Sequence, residues 1–410
     1  MIQSPWEGWM GGLFRSLGRP PFRSYFFGQG LSLLGTWMQY AALGWLAFSF
    51  MEQSKWPAWV QAAQLLPSVV LGPLAGRLID RVSKRSLILV TQLGLAILAL
   101  LLALAAHWQW LDPFTLVLWA SVSGLVMAID LPARLSYLAD LVGREHLSNA
   151  VALNSFAFNL ARAVGPSLAA AMFWILSVKA CFVLNAMSYL GLMFALWGNG
   201  VPGNPPIPEE SSKERQPRIP GKLIGVIVLA GFVAGFGWPI VALSPGYAAQ
   251  ILFLGPAAYS MVVGGIGLGG LMACILVAAE KSAKGREFRI GASMVCAALG
   301  LLIMGFFHQL VWALLGACLV GLGMVGFMAT TQTVIQIGAP PSLRGRILGI
   351  WTATLSGALP LGNFVAGPLA DHWGVDWVLK VMGTGIICAW ATWLILGYYR
   401  SKRTGVSLDS

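Results

Sequence analysis

Charge is scarce in this chain. Of its 410 residues only 10% are Asp, Glu, Lys or Arg, whereas 57% are hydrophobic and the mean hydropathy is +0.75. A soluble domain carries about 25% charged residues, so the shortage excludes a large soluble core and places most of the chain in lipid. Cysteine is sparse as well. Cys181, Cys274, Cys296, Cys318 and Cys388 all lie in apolar stretches with no CxxC pair, which argues against a disulfide framework or a zinc site and leaves them as small packing residues. No cluster of His, Asp and Glu falls at membrane depth, so a membrane-embedded enzyme has no metal ligands or acid–base pair to work with. No cofactor is expected. No filter-like Gly run or ring of charges repeats symmetrically, which disfavours a channel. Met1 to Phe22 has no small-residue cleavage site after an apolar core, so a removable signal peptide is not expected.

Apolar runs are what the chain has in abundance. A spanning helix needs roughly 20 apolar residues to cross about 30 Å of hydrocarbon. Twelve runs qualify, at 24 to 50, 57 to 79, 86 to 106, 113 to 137, 148 to 175, 178 to 198, 222 to 244, 256 to 279, 288 to 307, 309 to 333, 347 to 371 and 375 to 399. Eighteen Trp and 49 Gly suit them, because Trp anchors helices at headgroup level and Gly lets them pack closely. A Pro-rich, charged stretch without apolar periodicity separates the sixth run from the seventh. The domain reading is therefore an N-terminal segment 1–23, a six-helix bundle 24–198, a linker 199–221, a second six-helix bundle 222–399 and a tail 400–410.

The net charge of +11 does not mark a nucleic-acid binder, because the basic residues come in short groups between apolar runs. With an even number of spans, 20 of the 26 Lys and Arg fall on the side of the termini and linker. Lys55, Lys179 and Lys380 fall on the other, and Arg77, Arg134 and Arg162 lie within helices or at their ends. That asymmetry puts both termini in the cytoplasm. Sliding residue 147 onto residue 343 brings together two basic loops that each lead into a long helix, a weak parallel repeat between the halves.

The most specific motif ends the second run, Gly72 to Arg85, reading GPLAGRLIDRVSKR. Gly76 suits close helix approach, and Asp80 suits hydrogen bonding to neighbouring basic groups or to a helix N-terminus. This stretch resembles the 2/3-loop signature of the major facilitator superfamily. Gly35-Thr36-Trp37-Met38-Gln39, Asp130-Leu131-Pro132-Ala133-Arg134, Asn149 to Ser155, Asn159 to Pro166, Leu343 to Arg346 and Ala366 to Asp371 are similar to the branch of enterobactin (siderophore) exporters and related efflux proteins. The resemblance implies an all-α membrane protein of twelve transmembrane helices in two six-helix bundles, working by alternating access in the bacterial inner membrane. It implies a monomer that exports a small amphipathic molecule, a siderophore or a drug, with protons as a coupling ion and no nucleic-acid partner. A lipid or lysophospholipid transporter of the same fold is the alternative.

Charges inside the membrane narrow the site, since an unpaired one costs at least about 2.5–3.5 kcal/mol. Asp130 and Arg162 stand out, and the reach of an Arg stem makes a partnership between them across adjacent helices feasible. Arg162 reads either as a cationic cavity residue for an anionic or catechol-rich substrate, with Asp130 an alternating partner, or as a tie between spans 4 and 5; Asp130, the one deep carboxylate, is the proton-coupling candidate. Trp37, Gln39, Tyr40, Asn154, Asn159, Asn185, Trp238 and Asn363 are further cavity candidates, because polar groups facing lipid lack partners. Gly76, Asp80, Arg81, Lys84, Arg85, Asp130, Arg134 and Arg344 form the expected gating and charge cluster. Pro239 beside Gly237 and Trp238, and Pro360 between Gly357 and Gly362, mark expected kinks.

Overall fold

The computed structural model describes residues 15–79, 81–198, 219–278, 285–340 and 343–404. Asp80, the first fourteen residues, linker positions 199–218 and the tail from 405 lie outside the described residues. Every regular element described is helical. After a 3-10 turn at Arg15–Gly18, twelve helices follow. They are α1 Pro20–Ser49, α2 Lys55–Ile79, α3 Lys84–His107, α4 Pro113–Gly143, α5 Asn149–Ile175, α6 Val178–Trp197, α7 Gly221–Ile251, α8 Pro256–Ala278, α9 Arg286–Phe306, α10 Leu310–Gly338, α11 Arg344–Trp373 and α12 Val375–Thr404. Among the described residues, nine of these helices are long and apolar enough by themselves to cross a membrane.

Two helix boundaries differ from the sequence reading. The expected loop between spans 4 and 5 is helical, and a single residue, Gly143 (φ 71°, ψ 172°), interrupts an otherwise continuous rod from Pro113 to Ile175. Leu138, Leu141 and Val142 are buried there, so packing carries the helix past the expected end at 137, and glycine supplies the positive φ that turns the chain. Span 7 runs to Ile251, broken at Trp238 as expected, because Pro239 lacks an N–H and crowds the preceding turn. By contrast α11 runs through Pro360 and Pro368 without a break. Asp112 caps α4: its carboxylate accepts the Thr115 N–H at 2.7 Å while the Thr115 hydroxyl accepts its own N–H at 2.8 Å. The Thr115 backbone and side-chain hydrogen bonds hold the Asp112 carboxyl below the usual carboxylate range.

By packing, the chain forms two compact units. The first takes α1 up to Ala42, α2 from Val70, and α3 to α6; the second takes Leu43–Val69 together with α7 to α12. The core of the first gathers Phe22, Tyr25, Ile88, Tyr137, Leu138, Leu153 and Leu192, with Tyr25 edge-on to Tyr137 at 5.9 Å. The 3-10 turn is pinned to the α4–α5 joint. Its Ser16 N–H donates to Asn149 Oδ1 at 3.0 Å, and its hydroxyl to the His146 carbonyl at 3.2 Å.

The second unit is held by backbone contact. A Cβ on Gly269 would overlap the Cys318 carbonyl, and one on Gly321 the Ile266 carbonyl, so α8 and α10 touch main chain to main chain. Gly300 and Gly316 do the same for α9 and α10, where a Cβ would come within 2.5 and 2.7 Å of the facing carbonyl. Such contacts let dispersion replace the hydrophobic effect, which is missing between helices in lipid. Gly321→Val is therefore expected to destabilise the detergent-solubilised protein by about 1–3 kcal/mol or more. Gly349→Ala, with nothing within 4 Å of the added carbon, is expected to be neutral or mildly stabilising. Thermal unfolding of the two variants side by side makes the comparison.

Candidate functional site

A buried polar network runs through the first unit. On α1, Ser32, Thr36 and Gln39 lie four and three residues apart, one face of a helix; on α6, Ser188 and Tyr189 lie three and four residues after Asn185 and share its face. Asn185 Nδ2 donates to Gln39 Oε1 at 2.9 Å and to the Tyr189 hydroxyl at 3.3 Å, and that hydroxyl lies 3.3 Å from Thr36 Oγ1. Ser188 Oγ donates to Asn185 Oδ1 at 3.0 Å. One turn earlier on α1, Ser32 Oγ donates to Gln92 Oε1 at 3.3 Å. Gln92 Nε2 then donates to Asp130 Oδ1 at 2.9 Å, and Thr91 Oγ1 to the same oxygen at 2.7 Å. All of these residues are buried, and Asp130 is 0% exposed.

The other Asp130 oxygen meets Arg134 Nη2 at 2.6 Å. This is a close, buried ion pair. It corrects the expected Asp130–Arg162 pairing. Residues four apart on one helix already face each other, so Asp130 finds its cation without leaving α4. The same helix moves Arg134 from the expected gate into the interior. With α4 extending to Gly143, Arg134 lies nine residues and Asp130 thirteen from its end, about 14 and 20 Å at 1.5 Å per residue.

Arg162 makes a separate group on α5. Its Nη2 donates to Asn159 Oδ1 at 2.6 Å, and Asn159 Nδ2 donates to the Ser155 carbonyl at 2.9 Å. Gln29 Nε2 donates to Asn154 Oδ1 at 2.6 Å. Along the same α1–α5 face, Trp37 stands edge-on to Tyr40 at 5.7 Å and to Phe158 at 5.6 Å, with Gly165 lying beneath the Trp37 side chain. The Tyr40 hydroxyl reaches Met127 Sδ at 3.0 Å. Trp37 and Tyr40 are half-buried and Phe158 is exposed. The other two cavity candidates belong to the second unit. Trp238 is half-buried at the α7 break, and Asn363 Nδ2 donates to Gln61 Oε1 at 3.0 Å.

Among the described residues the expected gating cluster does not gather into one group. Lys84 is buried and ion-paired with Asp140 at 2.8 Å, tying α3 to α4. Arg85 Nε and Nη2 donate to the carbonyls of Leu196 and Trp197 at 3.0 and 3.1 Å, closing the C-terminus of α6, where cations are favoured. Arg81 and Arg344 are exposed. Gly76 is exposed too, with nothing among the described residues within 4 Å of an added carbon. Asp80 lies outside the described residues.

Sequence reasoning missed Thr91, Gln92, Ser32, Thr36, Ser188 and Tyr189. The signal was available in the helical spacing of the α1 and α6 polar residues, and in the four-residue interval between Asp130 and Arg134. Removing one partner of a buried ion pair costs about 3–5 kcal/mol, because the other charge is stranded. Arg134→Gln and Asp130→Asn are each expected to lower stability by that order, and the double variant to recover a large part of it. A thermal-unfolding double-mutant cycle reads the coupling.

The family model described as transmembrane secretion effector matches residues 12–401. The chain is 22% identical over 383 residues to the staphyloferrin A transporter of Staphylococcus aureus, covering 89% of this chain and 93% of that one. It is 24% identical over 369 residues to the enterobactin exporter EntS of Escherichia coli, covering 85% and 84%. Its fold matches that of a bacterial homolog of the human lysosomal transporter Spinster with a TM-score of 0.72 at 13% identity, over 94% of this chain and 97% of that one. The chain is thus a multi-pass membrane transporter, not an enzyme, and it belongs to the transmembrane secretion effector family of the major facilitator superfamily.

Proposed function

We propose that the chain exports a small amphipathic anion of the siderophore or drug class across the bacterial inner membrane, by alternating access and in exchange for protons. The observation that carries this reading is the α1–α5 face. There a buried guanidinium, Arg162, lies one helical turn from Phe158, and Phe158 continues the aromatic row of Trp37 and Tyr40. A cation one helical turn from an aromatic row suits a ligand with both negative charge and aromatic or apolar bulk. The names of the relatives, transporters of staphyloferrin A and enterobactin, support the same class. The distribution of basic residues supports cytoplasmic termini and linker. In this reading Asp130 carries the coupling proton and Arg134 balances it when the carboxylate is charged, with the protein acting as a monomer.

Inverted membrane vesicles test the reading through uptake of labelled enterobactin, staphyloferrin A, a fluorescent dye and a lysophospholipid, with and without a pH gradient. Uptake of an anionic compound is expected, falling about tenfold in Arg162→Gln, a loss of about 1.4 kcal/mol in transition-state binding. Collapse of the gradient is expected to abolish it. Uptake of lysophospholipid alone, indifferent to Arg162→Gln, would replace this reading with lipid transport. Full uptake without a gradient would remove the proton.

A further inference from the structure

A polar couple lies on the α1–α5 face, nearer the N-terminal ends of both helices than the aromatic row. On α1, Gln29, Leu33 and Trp37 follow one another at four-residue intervals, and on α5 so do Asn154, Phe158 and Arg162, so each set shares one side of its helix. Leu33, Ala157 and Ala161 pack together between the two helices, with Trp37 against them. Gln29, only 7% exposed, donates through Nε2 to Asn154 Oδ1 at 2.6 Å. That bond uses one end of each amide. Gln29 Oε1 is buried without a hydrogen-bond partner among the described residues. Asn154 Nδ2, on a half-buried side chain, makes no hydrogen bond among them either. One acceptor and one donor are thus left uncommitted at the same junction. Turning both amides over swaps which residue supplies which and keeps the couple.

A buried acceptor that nothing satisfies destabilises the structure around it. A pair that served only to tie α1 to α5 would gain nothing from burying an oxygen it leaves unused. An apolar ligand group would strand that oxygen, and an anion would be repelled by it. A group that both gives and takes a hydrogen bond, a hydroxyl or a secondary amide, answers the acceptor and the donor together. Along α5 the eight residues from Asn154 to Arg162 span about 12 Å at 1.5 Å per residue, with Phe158 midway. Charge, aromatic surface and neutral polar couple therefore come in sequence along one stripe. We infer that Gln29 and Asn154 form an uncharged subsite for a hydroxyl or amide N–H, carried at the far end of the elongated aromatic anion whose negative end Arg162 holds. Gln29 then sets the preference for substrates bearing that hydrogen. This rests on the anion-export reading above and adds a third requirement to it: the molecule must be long enough to reach both ends of the stripe.

Equilibrium binding to the detergent-solubilised full chain tests the subsite with two labelled probes. One is a rod-shaped biphenyl carboxylate with a hydroxyl at its far end; the other is its methyl ether, which keeps the charge and the rings and loses the donated hydrogen. The hydroxyl probe is expected to bind about tenfold more tightly than the ether. Gln29→Met keeps the length of the side chain without its amide, and is expected to bring the two affinities within about twofold by weakening the hydroxyl probe alone. Asn154→Ala, which frees Gln29 from α5, is expected to narrow the same gap, and decides the matter if Gln29→Met does not fold. Arg162→Gln is expected to weaken both probes and keep their ratio. Equal affinities in the unaltered chain overturn the subsite, as does a loss in Gln29→Met shared by both probes, which assigns the pair to helix packing. Binding of neither probe removes the anion reading and the subsite with it, whereas equal binding that still falls in Arg162→Gln removes the subsite alone. Neither flux nor a pH gradient enters the measurement, so failure of transport or of proton coupling leaves the comparison of the two probes standing.

Discussion

The cost of holding an ionised carboxylate away from water constrains the first unit more than any other interaction. Asp130 has no exposed surface, and at membrane depth a bare charge is tolerated only when neutralised and hydrogen-bonded. Arg134 supplies the opposite charge, and Thr91 and Gln92 supply the hydrogen bonds. Gln92 is in turn oriented by Ser32 on α1. One acid thus fixes the rotation of three helices, α1, α3 and α4, so that their few polar side chains converge. The Gln39–Asn185–Tyr189–Thr36 group extends the same logic to α6.

The second unit solves the helix-association problem differently. Where the first uses side-chain hydrogen bonds, α8, α9 and α10 meet through glycines whose backbones touch. The tightest contacts need no polar atoms, only the absence of a Cβ.

The fold was largely legible in the sequence, because a bilayer demands long apolar runs and leaves charge only at their ends; all twelve expected spans correspond to helices. The site was legible in part. Asp130, Gln39, Asn185 and Arg162 announced themselves as polar residues where lipid forbids them, and the Trp238 break followed from Pro239. What failed was partner choice. The adjacency of α4 and α5 suggests an Asp130–Arg162 partnership, while the intrahelical interval from Asp130 to Arg134 settles the matter locally. The helix end was placed too early for a related reason: an alternation of apolar and charged residues over 138–148 reads as a loop, and only tertiary burial of Leu138, Leu141 and Val142 makes it helix.

The division of α1 and α2 has a consequence for dissection of the molecule. A cut at the Pro-rich linker looks like the natural way to obtain two independent halves. Yet the N-terminal fragment would take Leu43–Val69 with it, including Ser54, Trp59 and Gln61, and the C-terminal fragment would keep Asp371, Phe364 and Asn363 without their partners. Each piece would expose an unmatched polar edge, so separately produced halves would be sticky toward each other and ill-behaved alone.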